Sequence, residues 1–239
     1  MRAFRNFASA ALLSTAAIAF AAPASAITIV IDDFSEGPTD LDRTSAGTSS
    51  SIDNGPFCST IIGCYRDLTL TSTVHPSASR HARSVVDTTT ESFVHSQDSG
   101  VVSQSLLNYD GLAGAGLGAD LTPLDQFSID VVSSDTTIEW ELTVEDGSGN
   151  IYTHEFLAVA LGLINLDLSI WSGNGVDLSD VKRISLLANS AQKDFPDGKP
   201  NVDTEITFFG VTSVPEPATL ALFGLGLVGL GAAARRRTV

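Results

Sequence analysis

Thr137-Ile138-Glu139-Trp140-Glu141-Leu142-Thr143-Val144 is the stretch that decides the fold. In an extended chain Ile138, Trp140, Leu142 and Val144 fall on one face, and Glu139, Glu141 and Thr143 on the other. One apolar and one polar face predict a half-buried antiparallel strand. Glu145-Asp-Gly-Ser-Gly-Asn150 follows with turn chemistry, and Ile151-Tyr-Thr-His-Glu-Phe156 returns, so the two runs read as a hairpin. Gln126–Val131 repeats the alternation with Phe127, Ile129 and Val131. Further strands are expected at Thr28–Ile31, Leu68–Thr73, Ala82–Val86, Glu91–Ser96, Val101–Leu107, Ile164–Ile170, Arg183–Ala188 and Thr204–Val211. No long amphipathic helix interrupts them. The expectation is an all-β domain, a two-sheet antiparallel β-sandwich of jelly-roll type, over residues 27–213. Thr39 to Cys64, including Thr44-Ser-Ala-Gly-Thr-Ser-Ser-Ser51, shows no apolar alternation and reads as a long loop.

Charge excludes whole classes of partner. The 239 residues carry 13 Lys+Arg against 28 Asp+Glu, a net charge of −15. Five of the basic residues sit at the extreme ends (Arg2, Arg5, Arg235, Arg236, Arg237), and only Glu216 among the acids lies there. Residues 27–214 therefore hold eight basic residues against 27 acidic ones, a net of −19. Such a surface repels phosphate backbones and anionic bilayers alike, which excludes nucleic acid as a partner.

The two ends are not part of the fold. Arg2 and Arg5, the apolar run Phe7 to Phe20, and the small residues Ala24-Ser25-Ala26 form a secretory signal peptide over residues 1–26, with signal peptidase expected to cut after Ala26. At the other end Val214-Pro215-Glu216-Pro217 precedes an apolar run, Ala218 to Ala234, and then Arg235-Arg236-Arg237. The run is long enough for a short transmembrane helix of roughly 25 Å, its basic end cytoplasmic. Gly224-Leu-Gly226-Leu-Val-Gly229 spells a dinucleotide-binding pattern. It lies inside that helix with no strand before it, so the pattern carries no such function.

Val-Pro-Glu-Pro, a Gly/Leu/Ala helix and a terminal arginine cluster, over residues 214–239, resemble the PEP-CTERM sorting signal of Gram-negative, exopolysaccharide-producing bacteria. The resemblance implies an exosortase that recognises Pro215, Glu216 and Pro217, cleaves nearby and passes the chain to the cell surface. The membrane is then a partner only before processing, and exopolysaccharide is the surrounding material.

Ile31-Asp32-Asp33-Phe34-Ser-Glu36-Gly37, the late Asp177-Leu-Ser-Asp-Val181 with Ile184, and the closing Asp203-Thr-Glu-Ile-Thr-Phe-Phe209 resemble jelly-roll domains of the carbohydrate-binding-module and galactose-binding-like type. That resemblance implies a structural calcium between the first strand's end and the last strand, with Asp32, Glu36 and Asp203 as the matching ligands. A sugar platform needs an exposed ring. Trp171, beside Ser172-Gly-Asn-Gly175, is the candidate ligand residue, with Tyr109 and Tyr152 next; the alternative for Trp171 is a core residue capping the sandwich end, and Trp140 belongs to the core. Cys58 and Cys64 are expected to form a disulfide in an oxidising destination.

Catalysis finds little support. His75, His81, His95 and His154 are scattered, although His81 and His95 sit on candidate neighbouring strands. No nucleophile elbow is present. Glu139 and Glu141 share a strand face at a spacing a glycosidase pair could use, yet alternating acids are also what any solvated face shows. The reading is therefore a non-catalytic exported sandwich. A polysaccharide-acting enzyme using a carboxylate pair, or a matrix protein whose self-association depends on calcium, are the alternatives.

Overall fold

The computed structural model describes residues 27–135, 138–158, 161–189 and 201–214. The expected signal peptide and the expected C-terminal membrane helix lie outside them. Among the described residues, no helix is long and apolar enough to cross a membrane. Residues 27–213 form one compact unit.

Among the described residues, thirteen strands make two antiparallel sheets: β1 (Thr28–Asp32), β2 (Thr39–Arg43), β3 (Gly47–Asn54), β4 (Arg66–Val74), β5 (Ala82–Asp87), β6 (Ser92–Gln97), β7 (Val102–Tyr109), β8 (Gln126–Ser134), β9 (Ile138–Asp146), β10 (Ile151–Ala158), β11 (Gly162–Asp167), β12 (Val181–Asn189) and β13 (Val202–Thr212). One sheet runs β11-β8-β13-β6-β5-β2, with β1 also paired to β13, and the other runs β10-β9-β12-β7-β4-β3. The chain passes between sheets from β2 to β3 at one edge and from β10 to β11 at the other. The all-β sandwich expected from the alternation is the fold observed.

The apolar faces meet between the sheets. Ile138, Trp140, Leu142 and Val144 of β9 are buried, as are Phe127, Ile129 and Val131 of β8. Phe127 packs edge-on against Trp171 at 4.9 Å between centroids and also meets Phe209 at 6.1 Å. Each such side chain removed from water contributes about 1.5–3 kcal/mol, so alternation of this kind is enough to fix the register of a whole strand.

Two findings depart from the sequence reading. The stretch expected to be a loop contains β2 and β3, which pair with β5 and β4 respectively. In β2 only Leu41 is apolar, between Asp40 and Asp42, and in β3 hydroxyls stand where apolar residues would and cross-link instead of packing. Thr48 Oγ1 meets Thr71 Oγ1 at 3.1 Å, and Ser50 Oγ meets Thr69 Oγ1 at 3.1 Å. Arg43 fastens the corner by donating to the carbonyls of Ala46 (2.9 Å) and Thr48 (3.2 Å). The second departure is the run Ile164–Ile170. Its strand stops at Asp167, whose Oδ1 accepts the Ser169 N–H at 2.7 Å, and one helical turn follows, α1 (Ser169–Ser172).

An ion pair lies inside the sandwich. Arg66 and Asp32 are both fully buried, with Nη1 donating to Oδ2 at 2.6 Å. Arg66 Nη2 also donates to the carbonyls of Glu36 (3.0 Å) and Gly37 (2.6 Å), while Tyr109 donates its hydroxyl proton to Asp32 Oδ2 at 2.9 Å. Burial pushes the Asp32 carboxyl up, against the opposing pull of Arg66, and burial likewise holds the Tyr109 hydroxyl well above its usual range.

Candidate functional site

The outward face of the six-stranded sheet is a continuous array of hydrogen-bonding groups. Register builds it in rows. One row crosses Thr153, Thr143, Ser185, Asn108 and Asp67; the next crosses Glu155, Glu141, Leu187, Leu106, Thr69 and Ser50. A third crosses Leu157, Glu139, Asn189, Gln104, Thr71 and Thr48. At ~4.8 Å between strands the face is about 24 Å wide. All three rows alternate with buried neighbours, which is why the same strands can carry a core on one side and this array on the other.

The groups are oriented by one another. Ser185 donates to Asn108 Oδ1 at 2.7 Å, and Asn108 Nδ2 donates to Asp110 Oδ2 at 2.9 Å. Asn189 Nδ2 donates to Glu141 Oε1 at 3.2 Å. Where the face meets the hairpin, Glu145 takes Lys182 Nζ at 2.9 Å and Arg183 Nη2 at 2.6 Å. Burial raises the Asp67 carboxyl, the N–H of Asp53 opposes this, and nearby Asp110 adds to the rise. Leu106 and Leu187 are direct cross-strand partners and make an aliphatic floor between the acids and amides. None of the positions in these three rows is aromatic. Carboxylates accept, amides both donate and accept, and the floor is apolar: the chemistry suits a ligand with many hydroxyls.

The residues singled out from sequence are placed differently. Trp171 is fully buried on α1, with its ring against Phe127 and His154 (5.8 Å), so it has no face to offer a sugar. Its Ser-Gly-Asn-Gly neighbourhood suggested exposure, but the helical turn points the indole inward. Tyr109 is fully buried too, and Tyr152 is half-buried on the inward side of β10. Asp32, Glu36 and Asp203 do not converge. Asp32 is held by Arg66, and Glu36 Oε2 accepts from Thr60 Oγ1 at 2.8 Å. The backbone neighbour of Asp32 on β13 is Phe209, whereas Asp203 lies six residues up that strand, about 20 Å away. Among the described residues no group of three or more His, Cys, Asp or Glu side chains is arranged to hold a metal ion. His81 and His95 stay apart: His81 is exposed beside Asp42, at 3.0 Å, while His95 lies inside the sandwich with Nδ1 2.6 Å from Ser105 Oγ. Glu139 and Glu141 do stand together on the outward face. Their partners in the array, Gln104, Leu106, Asn108, Leu187 and Asn189, were missed because they become neighbours only through the β7–β12–β9 register.

Cys58 and Cys64 form the expected disulfide. The loop it closes lies over the ion pair: Ile61, buried, bridges to Asp32, and Thr60 reaches Glu36. Pro215, Glu216 and Pro217 lie outside the described residues, as does Ala26.

Residues 213–237 match the PEP-CTERM protein-sorting motif. A search of curated sequences found no relative. Among solved structures, the chain is similar to the family 11 carbohydrate-binding module of the cellulosomal cellulase Lic26A-Cel5E of Clostridium thermocellum, at 9% identity and a TM-score of 0.40, over 80% of this chain and 98% of that one. The family 30 module of cellulase Cel9D-Cel44B from the same organism matches at 12% identity and a TM-score of 0.35, over 79% and 98%. An agarase, AgWH50C, matches at 10% identity and a TM-score of 0.38, over 60% of this chain and 24% of that one. Likenesses this distant carry neither ligand nor site to this chain.

Proposed function

We propose that this protein is exported, processed by an exosortase at its C-terminal motif, and delivered to the cell surface or exopolysaccharide layer as a non-catalytic sandwich that contacts hydroxyl-rich polymer. The match at residues 213–237 carries the first half of this reading. Its presence implies export and a surface or extracellular destination in a Gram-negative bacterium. The outward array of the six-stranded sheet supports the second half. Hydroxyls of a polysaccharide can donate to Glu139, Glu141 and Glu155 and accept from Gln104, Asn108 and Asn189, while ring C–H groups rest on Leu106 and Leu187. Net charge of −19 over residues 27–214 favours a neutral polymer over an acidic one.

The test is retention of the full-length protein's processed form on immobilised exopolysaccharide from the producing cells, with and without calcium. Saturable retention that falls in an Asn108→Ala/Glu141→Gln variant supports the reading. Retention by that variant equal to the parent's contradicts the assignment of the face.

A further inference from the structure

The first and last strands of the sandwich leave it at one point. Thr28 pairs with Thr212, and beyond them Ile27 N–H donates to Ser213 Oγ at 2.7 Å while Ser213 N–H donates to the Ile27 carbonyl at 2.8 Å. The Thr212 carbonyl accepts the Asp125 N–H at 3.0 Å. The residue after the expected signal-peptide cut is thus hydrogen-bonded to the first residue of the matched sorting motif.

The tether between this pole and the recognition residues is short. Only Ser213 and Val214 separate the last strand residue from Pro215. Fully extended, three links of about 3.5 Å reach roughly 10 Å. Fraying β13 to lengthen the tether would break the three bonds just named and bring Val211, fully buried, into water. An enzyme gripping Pro215–Pro217 therefore works against a folded surface.

We propose that this pole, built from Ile27, Thr28, Asp125, Gln126, Asp167 and Ser213, is a docking surface for the membrane transpeptidase that processes the motif; the inference rests on the sorting reading above. Beside the exit lies a depression of about 430 Å³, in which Asp125, Asp167 and Asp177 stand around Leu124, Leu168 and Val176. The matching surface on the enzyme is expected to be basic. Docking here raises the local concentration of the motif at the active site and brings both processing points of the chain to one end of the domain.

The experiment follows conversion of full-length precursor to processed protein in the producing cells. Four chains are compared: the parent, Asp125→Arg/Asp167→Arg at the pole, Glu205→Arg on the outward face of the other sheet, seven residues up β13 from Thr212, and the parent with ten Gly/Ser residues inserted between Ser213 and Val214. The pole variant is expected to process about tenfold more slowly, as for lost electrostatic steering, and Glu205→Arg at the parent's rate. The insertion is also expected to slow conversion about tenfold, because effective concentration falls steeply with tether length. Faster conversion with the insertion would mean that the folded pole obstructs the enzyme, and that overturns the inference even if the pole variant fails to fold. Parental rates in the pole variant overturn it as well. A parent chain that keeps its tail, or a Pro215→Ala/Glu216→Ala chain that loses it normally, instead overturns the sorting reading.

Discussion

His95 and the Asp32–Arg66 pair are ionisable groups held inside the sandwich, each with a consequence for stability. Burial lowers the His95 imidazole to about 4 from an ordinary value of 6.5, because nothing nearby compensates a charge there. The unfolded chain then binds a proton at higher pH than the folded one. Stability from neutral His95 is complete above about pH 6.5 and is lost as pH falls towards 4, by about 3 kcal/mol at one pKa unit per ~1.4 kcal/mol. Urea titrations at pH 7.5, 6 and 4.5 should show that fall, and His95→Leu should flatten it; an equally steep dependence in the variant would place the titration elsewhere. Asp32→Ala leaves Arg66 charged and buried without its carboxylate, at an expected cost of about 3–5 kcal/mol by denaturant unfolding. None of this was legible in the sequence. The jelly-roll resemblance offered Asp32 as a calcium ligand; its partner in the structure, Arg66, is 34 positions away and becomes a neighbour only in the fold.

At the scale of elements, legibility followed apolar alternation. β8 and β9 could be read directly, since an apolar residue at every second position has one physical meaning in a short segment, and β10 followed from the turn chemistry of Glu145–Asn150. β2 could not, because Leu41 is its one apolar residue, and β3 could not, because Ser and Thr occupy both its faces; their pairing is carried by backbone ladders, the hydroxyl pairs of β3 and Arg43. Hydrogen exchange discriminates a strand from a loop here. Alternate β3 amides bonded to β4 are expected to exchange at least tenfold more slowly than amides of Ser77–Ser79, and equal rates would contradict the pairing. The disulfide loop is a separate element with a separate prediction. Replacing both Cys58 and Cys64 with Ser should cost about 2–3 kcal/mol, the entropy of so short a closed loop, and more if the loop also shields the ion pair. A melting temperature unchanged by the double substitution would show that Ile61 and Thr60 hold the loop without it.

For the whole molecule, a short C-terminal stretch states a destination, while residues 27–213 supply an acidic sandwich with one broad polar face. The destination was legible because sorting enzymes read linear sequence. The face was not, since it is assembled by register from β10, β9, β12, β7, β4 and β3, and Trp171, weighed as an exposed platform against a core cap, is core. A polymer held by hydroxyl contacts, with no ion pairs, should also bind with little salt dependence. The most direct measurement is the affinity of the Ile27–Ser213 unit for neutral exopolysaccharide of the producing cells, across a range of salt, for the parent and for Asn108→Ala/Glu141→Gln. Saturable binding that is insensitive to salt and at least about tenfold weaker in the variant is the predicted result, equivalent to one or two lost hydrogen bonds. Absence of binding, or equal binding by parent and variant, would contradict the assignment of this face to polymer contact.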